Sequence, residues 1–402
     1  MKDDERDRLL HITLDWEKEW KAAGMPEYSQ ENINPWQSLV VHFKNQHDRE
    51  DFFAKLGFPP RTNTNLTMKW TWYPPQDYQK WTDKSHPPTK VGPNKYPVYV
   101  ISKGRADTML TIRQLRHLGI PHFLVVEPQE RERYAMALLA HAKVVGLENS
   151  KTTTLLVLPE ANYGKGCSIP ARNWVWAHSM KLRIPVTKPC ERCGGSGFSG
   201  RGTGYDDVCN QCGGMKEELV RWKVGADKHW ILDDNIQGFF EFNRNEKPKI
   251  RDYNPFEIVE RFVDRHNNVG LAGMNYEFFV QRRNDTPPYY LNTRVYSCIL
   301  IRNDLPFRWR GTYNEDTDLS LRVLKSGMST VLFNYVLAKK VTTMIMKGGN
   351  EAIYKLKGED GRLKMAQALM KQHPDLVKIT HKWGRWQHQV NYAPFSQNRL
   401  DR

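Results

Sequence analysis

No apolar run in this sequence approaches the roughly 20 residues needed to cross a bilayer. The first residues, MKDDERDRLL, lack the apolar core of a secretory signal. Both absences lead us to expect a soluble intracellular, cytoplasmic protein. Cysteine is scarce, six in 402 residues, and four of the six fall in one short stretch. That pattern argues against a disulfide scaffold spread over the chain. A phosphate loop is also missing: GKG at 164–166 does not meet the pattern G-x-x-x-x-G-K-[ST].

Acidic residues are outnumbered by basic ones, 45 to 60, giving a net charge of +15. Such an excess suits a polyanion, whether nucleic acid, nucleotide phosphate or an anionic membrane surface, and equally suits an ordinary basic surface. The chain is long enough for one large core or two modest ones. Its thirteen tryptophans are expected mainly in that core, although some could stack on bases.

Residues 1–95 are expected to form a separate accessory α/β element and linker. DERDRLLHITLDWEKEWKAAG has a helical pattern, SLVVHF (38–43) reads as a strand, DREDFFAKLG (48–57) as a short helix and MKWTWYPP (68–75) as another strand. The segment from Pro74 to Pro97 has the proline-rich, polar composition of a linker. From PVYVISKGR (97–105) the pattern changes to strand, helix, strand, helix, strand, through TMLTIRQLRHLG, HFLVVEPQE, RERYAMALLAHA and TTLLVLPE. This spacing predicts a Rossmann-like α/β domain with a mostly parallel sheet and flanking helices. Ligands of such sheets sit at the carboxyl ends of the strands, which singles out Lys103, Arg105 and Glu127. NYGKGCSIPARNWVWAHSM (162–180) then offers Lys165 and Arg172 around a helix start at Pro170, a natural anion site.

The four clustered cysteines form Cys190-x2-Cys193 and Cys209-x2-Cys212, fifteen residues apart, in a glycine-loaded stretch. Two such turns can present four thiolates at the corners of a tetrahedron, so a structural Zn²⁺ is expected in an insertion over 186–216. Its spacing is similar to the cysteine-rich knuckle of J-domain chaperones. Arg192, Arg201 and Lys216 would give it a nucleic-acid contact. Cys167 and Cys298 are expected to pack as small hydrophobes.

Two acidic clusters follow. HWILDDNI (229–236) ends a strand pattern in Asp233, Asp234 and Asn235. YNEDTDLSLRVLKSG (313–327) places Glu315 and Asp316 ahead of a helix. Helix capping is the default for the second cluster, with Asp316 or Asp318 as the cap. Two carboxylate sets beside a basic strand edge also suit a division of labour. One would hold a divalent cation against a diphosphate leaving group, and the other would take a proton from an acceptor hydroxyl. Strands are expected within FVDRHNNVGLAGMNYEFFV (262–280) and RVYSCILIRND (294–304).

ILDDN, RWRGTYNEDTDLSLRVLKSG and GKGCSIPARNWVWAHS together resemble glycosyltransferases of the GT-A fold. With WGRWQHQVNYAPF at the C-terminal end, they are more narrowly similar to the phage TET-associated glycosyltransferases, which attach sugars to 5-hydroxymethylcytosine in DNA. The resemblance spans roughly residues 97–395, so a glycosyltransferase domain over 96–395 is expected. It implies a UDP-sugar donor, a DNA acceptor, inversion at the sugar carbon, and the host cytoplasm as the place of action for a phage-encoded enzyme. It also implies that Asp233 and Asn235 hold Mn²⁺ or Mg²⁺ as the outer positions of a D-x-D motif. Asp234 shares that load because asparagine is the weaker ligand. His388 is the added metal ligand, with His381 as second choice and a packed core histidine as the alternative.

By the same resemblance Asp316 is the general base and Glu315 contacts acceptor or sugar. Lys103, Arg105 and Glu127 surround the uridine, while Lys165 and Arg172 meet the diphosphate or sugar. Arg308, Arg310, Lys339, Lys340 and Lys347 suit DNA phosphates. Two other readings stand beside this one. A sugar nucleotidylyltransferase would normally carry a G-x-G loop where VYVISKGR has one glycine. A zinc-containing DNA-binding protein would use its aspartates only as caps.

Overall fold

The computed structural model describes residues 16–30, 41–55, 94–163, 167–189, 191, 217–341, 361–382 and 384–402. Two compact units divide the chain, one formed by 1–31 with 89–402 and the other by 32–88. In the small unit the described part is helix Gln46–Lys55, with Phe43, Phe52 and Phe53 in mutual ring contact. Its start is capped by Asn45, whose Oδ1 accepts from the Asp48 amide at 2.9 Å. Residues 41–43, the described part of the expected strand 38–43, are not in a strand.

Among the described residues the large unit is built on a nine-stranded sheet. Strands β1 (Val98–Ile101), β2 (His122–Val126), β3 (Thr153–Val157) and β6 (Lys228–Asp233) lie side by side in the order β3-β2-β1-β6, all parallel. Next come β10 (Cys298–Arg302), which is antiparallel to its neighbours, then β8 (Val269–Tyr276), β11 (Ser329–Lys340) and β7 (Ile236–Glu241). β8 and β11 run parallel to each other, while β7 and the short β9 (Tyr289–Leu291) pair antiparallel with β11. The expected mostly parallel α/β sheet is therefore present. An antiparallel strand beside β6 brings the start of β10 to the same edge as the end of β6.

Period-two alternation builds this sheet, because successive side chains of a strand face opposite sides. Val98, Val100, Trp230 and Leu232 enter one core cluster with Leu124 and Val126, whereas Tyr99, Val125 and Ile231 enter the other. Helices cover both faces, so the central strands are apolar throughout. The first core holds Phe256, Val259 and Phe262 from helix Pro255–Val263, which starts with a proline and with Asn254 Oδ1 accepting from the Phe256 amide. The second holds Val175 and Trp176 from helix Ile169–Ser179 and Leu319 and Val323 from helix Glu315–Lys325. Segment 16–30, assigned to the accessory element on sequence, contributes Trp20 and Tyr28 to the first core, and the Tyr28 hydroxyl donates to the Thr286 carbonyl at 2.7 Å.

Close approach of β8 to β10 depends on Gly273: a Cβ there would lie 2.3 Å from the Cys298 carbonyl oxygen. Strands β4 (Arg183–Pro189) and β5 (Glu217–Val224) form a separate hairpin in which Pro189 pairs with Glu217. The cysteine insertion joins these strands, and Cys190, Cys193, Cys209 and Cys212 lie outside the described residues. A second hairpin, β12 (Val377–Lys382) with β13 (Arg385–Val390), packs by helix Gly361–Gln372. Among the described residues no helix is long and apolar enough to cross a membrane.

Candidate active site

Five strand ends meet at one edge of the sheet. β6 ends in Asp233, beside Ile101 at the end of β1. Tyr276 closes β8, Lys340 closes β11, and Ser297 immediately precedes β10. Ser297 has φ +61° and Asn314, just before helix Glu315–Lys325, has φ +53°. Side chains with a Cβ adopt such values rarely, and they cluster at functional sites.

Asp233 is the hub. Its Oδ2 accepts from Lys340 Nζ at 2.6 Å and Ser297 Oγ at 2.7 Å, and its Oδ1 from Arg172 at 3.3 Å. Burial works to raise the Asp233 carboxyl, but the charges of Lys340 and Arg172 outweigh it and hold the group at about 2. The Tyr276 hydroxyl hydrogen-bonds Ser297 Oγ; since the serine proton goes to Asp233, the tyrosine is the donor. Lys340 also donates to Ser297 Oγ at 3.0 Å and Tyr276 Oη at 3.3 Å. Burial lowers the ammonium of Lys340, yet Asp233 raises it further, so it stays charged.

Asp234 points to the other side of the strand end. It accepts from Ser102 Oγ at 2.7 Å and forms an ion pair with Arg105. Burial nevertheless leaves its carboxyl above the ordinary aspartate range. The neighbouring Lys103 donates to Glu127 at 2.7 Å. The structure thus joins Arg105 to the acidic motif and Lys103 to Glu127.

Arg172 links the two acidic clusters. One guanidinium nitrogen faces Asp233 at 3.3 Å and another lies 3.7 Å from Glu315, while the group stacks 4.7 Å from the Trp309 ring. Ser168 Oγ donates to Glu315 at 3.2 Å. Burial raises the Glu315 carboxyl, with Arg172 opposing. Asp316, next in the helix, is half-buried and lies in the electrostatic environment of Tyr276, Tyr296, Tyr392 and Arg294.

Several expectations change here. Neither Asp316 nor Asp318 caps the helix; Asn314 holds that position, without a side-chain cap bond. The chain enters through a left-handed residue, and both aspartates are already inside the first turn. Asp318 is fully buried, accepting from Arg310 at 2.9 Å, Arg322 at 2.9 Å and His373 at 2.9 Å. Arg310 pairs with Asp318 while half of its side chain stays exposed, and the exposed Arg308 lies 4.6 Å from the Trp176 ring. Lys340, assigned to DNA phosphate on sequence, is turned to Asp233. Lys165 and Lys347 lie outside the described residues.

The metal ligands are not gathered as expected. Both Asp233 oxygens face protein donors, as do those of Asp234. His388 sits on hairpin β12–β13, where burial and then the Arg294 charge lower it to about 4. His381 is in ring contact with Trp386 at 4.9 Å. Among the described residues no group of three or more His, Cys, Asp or Glu could hold a metal ion. Asn235 Oδ1 is buried without a hydrogen-bond partner, but one neutral oxygen is a poor divalent site. The residues present do not fit a divalent cation at Asp233.

Sequence reasoning missed Ser102, Ser297, Tyr276 and Trp309. Trp309 had a signal in the arginine-flanked RWRG; the two serines and Tyr276 had none, since each is ordinary in its own stretch. A family model described as TET-Associated Glycosyltransferase matches residues 96–349, which covers the sheet edge and both acidic clusters. No curated protein matches the chain.

Proposed function

The chain belongs to the TET-associated glycosyltransferase family, and we propose that it moves a sugar from a UDP-sugar to the hydroxymethyl oxygen of 5-hydroxymethylcytosine in DNA. The observation that carries this reading is Arg172, which brings Asp233 and Glu315, 82 positions apart by their numbering, within reach of one guanidinium. A cation shared by two acidic clusters at a strand edge suits a diphosphate leaving group on one side and an acceptor hydroxyl on the other. The fold in this reading is GT-A.

The acceptor is a neutral alcohol, so its proton must leave as its oxygen bonds to the anomeric carbon. Asp316 receives that proton, and the bond from the anomeric carbon to the diphosphate breaks, UDP departing with the electron pair. Attack opposite the leaving group inverts the sugar carbon. Lys340 and Arg172 supply the positive charge that faces the diphosphate as negative charge builds on it. Asp233 holds both cations in place through ion pairs that compete with the diphosphate. Lys103, Glu127 and Arg105 form the nucleoside side of the cleft, and Glu315 orients sugar or acceptor.

Incubation with hydroxymethylcytosine DNA and a panel of UDP-sugars is expected to release UDP and add one sugar mass to the nucleoside. Absence of UDP release with every sugar, with and without Mn²⁺, would sink the reading. Asp316→Asn is expected to slow transfer by about 10²–10⁴-fold while the protein stays folded. Retained activity would remove Asp316 as base. For the four cysteines the proposal of a structural zinc rests on spacing alone. Elemental analysis should find one zinc per chain, lost in Cys190→Ser/Cys193→Ser.

A further inference from the structure

Beyond the strand edge, an aromatic series leads out of the site into solvent. Tyr276, whose hydroxyl lies in the Asp233–Lys340 network, stacks on Phe278 with centroids 5.3 Å apart and planes at 25°. Phe279 packs against Phe278 at 4.4 Å and against Tyr276 at 5.5 Å. Tyr296 closes the group, 4.5 Å from Tyr276, with the Arg294 guanidinium 5.0 Å over its ring. Phe278 is 57% exposed and Phe279 49%, although Val280 is buried and Tyr276 half-buried.

The turn that displays these rings is held rigidly. Lys247, with its side chain only 9% exposed, donates to the Glu277 carbonyl at 2.6 Å and the Val280 carbonyl at 2.5 Å. The Phe279 amide donates to the Tyr276 carbonyl at 3.0 Å, and the Glu277 amide to the Ala338 carbonyl at 3.1 Å. Burying a lysine is unfavourable, and here the lysine clamps a turn that keeps two large apolar rings in water. A flexible loop would fold those rings inward.

We propose that Phe278 and Phe279 are the platform on which the acceptor pyrimidine stacks after it leaves the DNA base stack. The inference rests on the DNA-transferase reading and adds the residues that hold the acceptor. A base on this platform extends the ring series that starts at Tyr276, whose hydroxyl lies in the Asp233–Lys340 network. Aromatic faces accept any base, so the platform supplies affinity while the chain's excess of positive charge attracts the phosphates. Extrusion also solves the access problem, because the target atom of a paired base is hard to reach in a duplex.

The test uses the full chain and a hydroxymethylcytosine oligonucleotide carrying a fluorescent cytosine analogue at the target position. Wild-type protein is expected to quench the analogue. Phe278→Ala/Phe279→Ala is expected to lose the quench and to raise the KM for DNA about ten- to a hundredfold, the range of one lost base–aromatic stack. Phe278→Tyr/Phe279→Tyr keeps both quench and KM, which separates stacking from a general disturbance of the turn. An alanine pair with unchanged KM and quench overturns the proposal, as does a tyrosine pair as impaired as the alanine pair. Wild-type protein that quenches the probe but transfers no sugar to the unlabelled hydroxymethylcytosine oligonucleotide would remove the transferase reading and leave the platform standing.

Discussion

Asp233 and Asp318 have nearly the same electrostatic description and opposite surroundings. Each carboxylate is lowered to about 2 by neighbouring cations that outweigh its burial. Asp318 has no exposed surface; Arg310, Arg322 and His373 enclose it between helix Glu315–Lys325 and the end of helix Gly361–Gln372. The Asp233 side chain keeps 25% of its surface open, at the edge where ligands of such sheets bind. A depressed carboxyl therefore does not identify a functional group by itself. Position does: the Asp318 ion pairs lie between two helices, whereas Lys340 and Arg172 meet Asp233 at the strand edge where ligands of such sheets bind.

Breaking the closed cluster should have the largest effect. Asp318→Asn leaves the largely buried Arg322 without its carboxylate partner, and its expected cost is about 3–5 kcal/mol in stability by denaturant unfolding. Asp233→Asn should cost less than half as much, because water reaches the site, yet it should impair donor use more than stability. Equal losses in the two variants would erase the distinction between them.

Lys340→Met tests the open cluster directly. It should reduce kcat by about 10²–10³-fold, as removal of a preorganised charge at a leaving group does, while the variant stays folded by circular dichroism. Assay without added Mn²⁺ or Mg²⁺ should leave the wild-type rate unchanged, because both Asp233 oxygens are engaged by protein donors. A rate that depends on added Mn²⁺ would show that a metal displaces Lys340 during turnover.

The smallest effect concerns acid stability, where the two aspartates should act alike. Both folded-state values, about 2, lie below the unfolded reference near 3.9. Their contribution is therefore present above pH ~4 and fades as pH falls toward 2, by about 2 kcal/mol for each group. Unfolding measured across that window should show an acid loss smaller by about 2 kcal/mol in Asp318→Asn. An unchanged slope would mean that the pairing around Asp318 does not persist in solution.

Much of the sheet was legible before the fold was known. The β1 to β3 segments have apolar runs separated by helical periods, because strands covered on both faces must be apolar throughout. Asp233 stood out as a charge at the end of such a run, and Arg172 as a cation in the first turn of a helix. Lys340 also closes an apolar strand, but its role was misjudged. Its partner is 107 residues away, and no local pattern reports a contact at that separation. Asp318 was misread for the same reason: as a tripeptide, D-x-D before a helix looks like capping, and only tertiary packing shows the arginines and histidine around it. The antiparallel β10 mattered as well, since it delivers Ser297 to Asp233 from the opposite chain direction.

By itself the sequence determined which segments become buried strands, which residues carry charge at their ends, and the family to which these patterns belong. Those properties follow from local periodicity and residue chemistry. Tertiary structure alone decided which aspartate is enclosed and which is open. It also decided that Lys340 faces Asp233 and that Phe278 and Phe279 stand in water beside the cleft. Strand order, register and the crossover that places β10 between β6 and β8 set those pairings. Each pairing depends on the packing of the whole sheet, so no single stretch of chain encodes it.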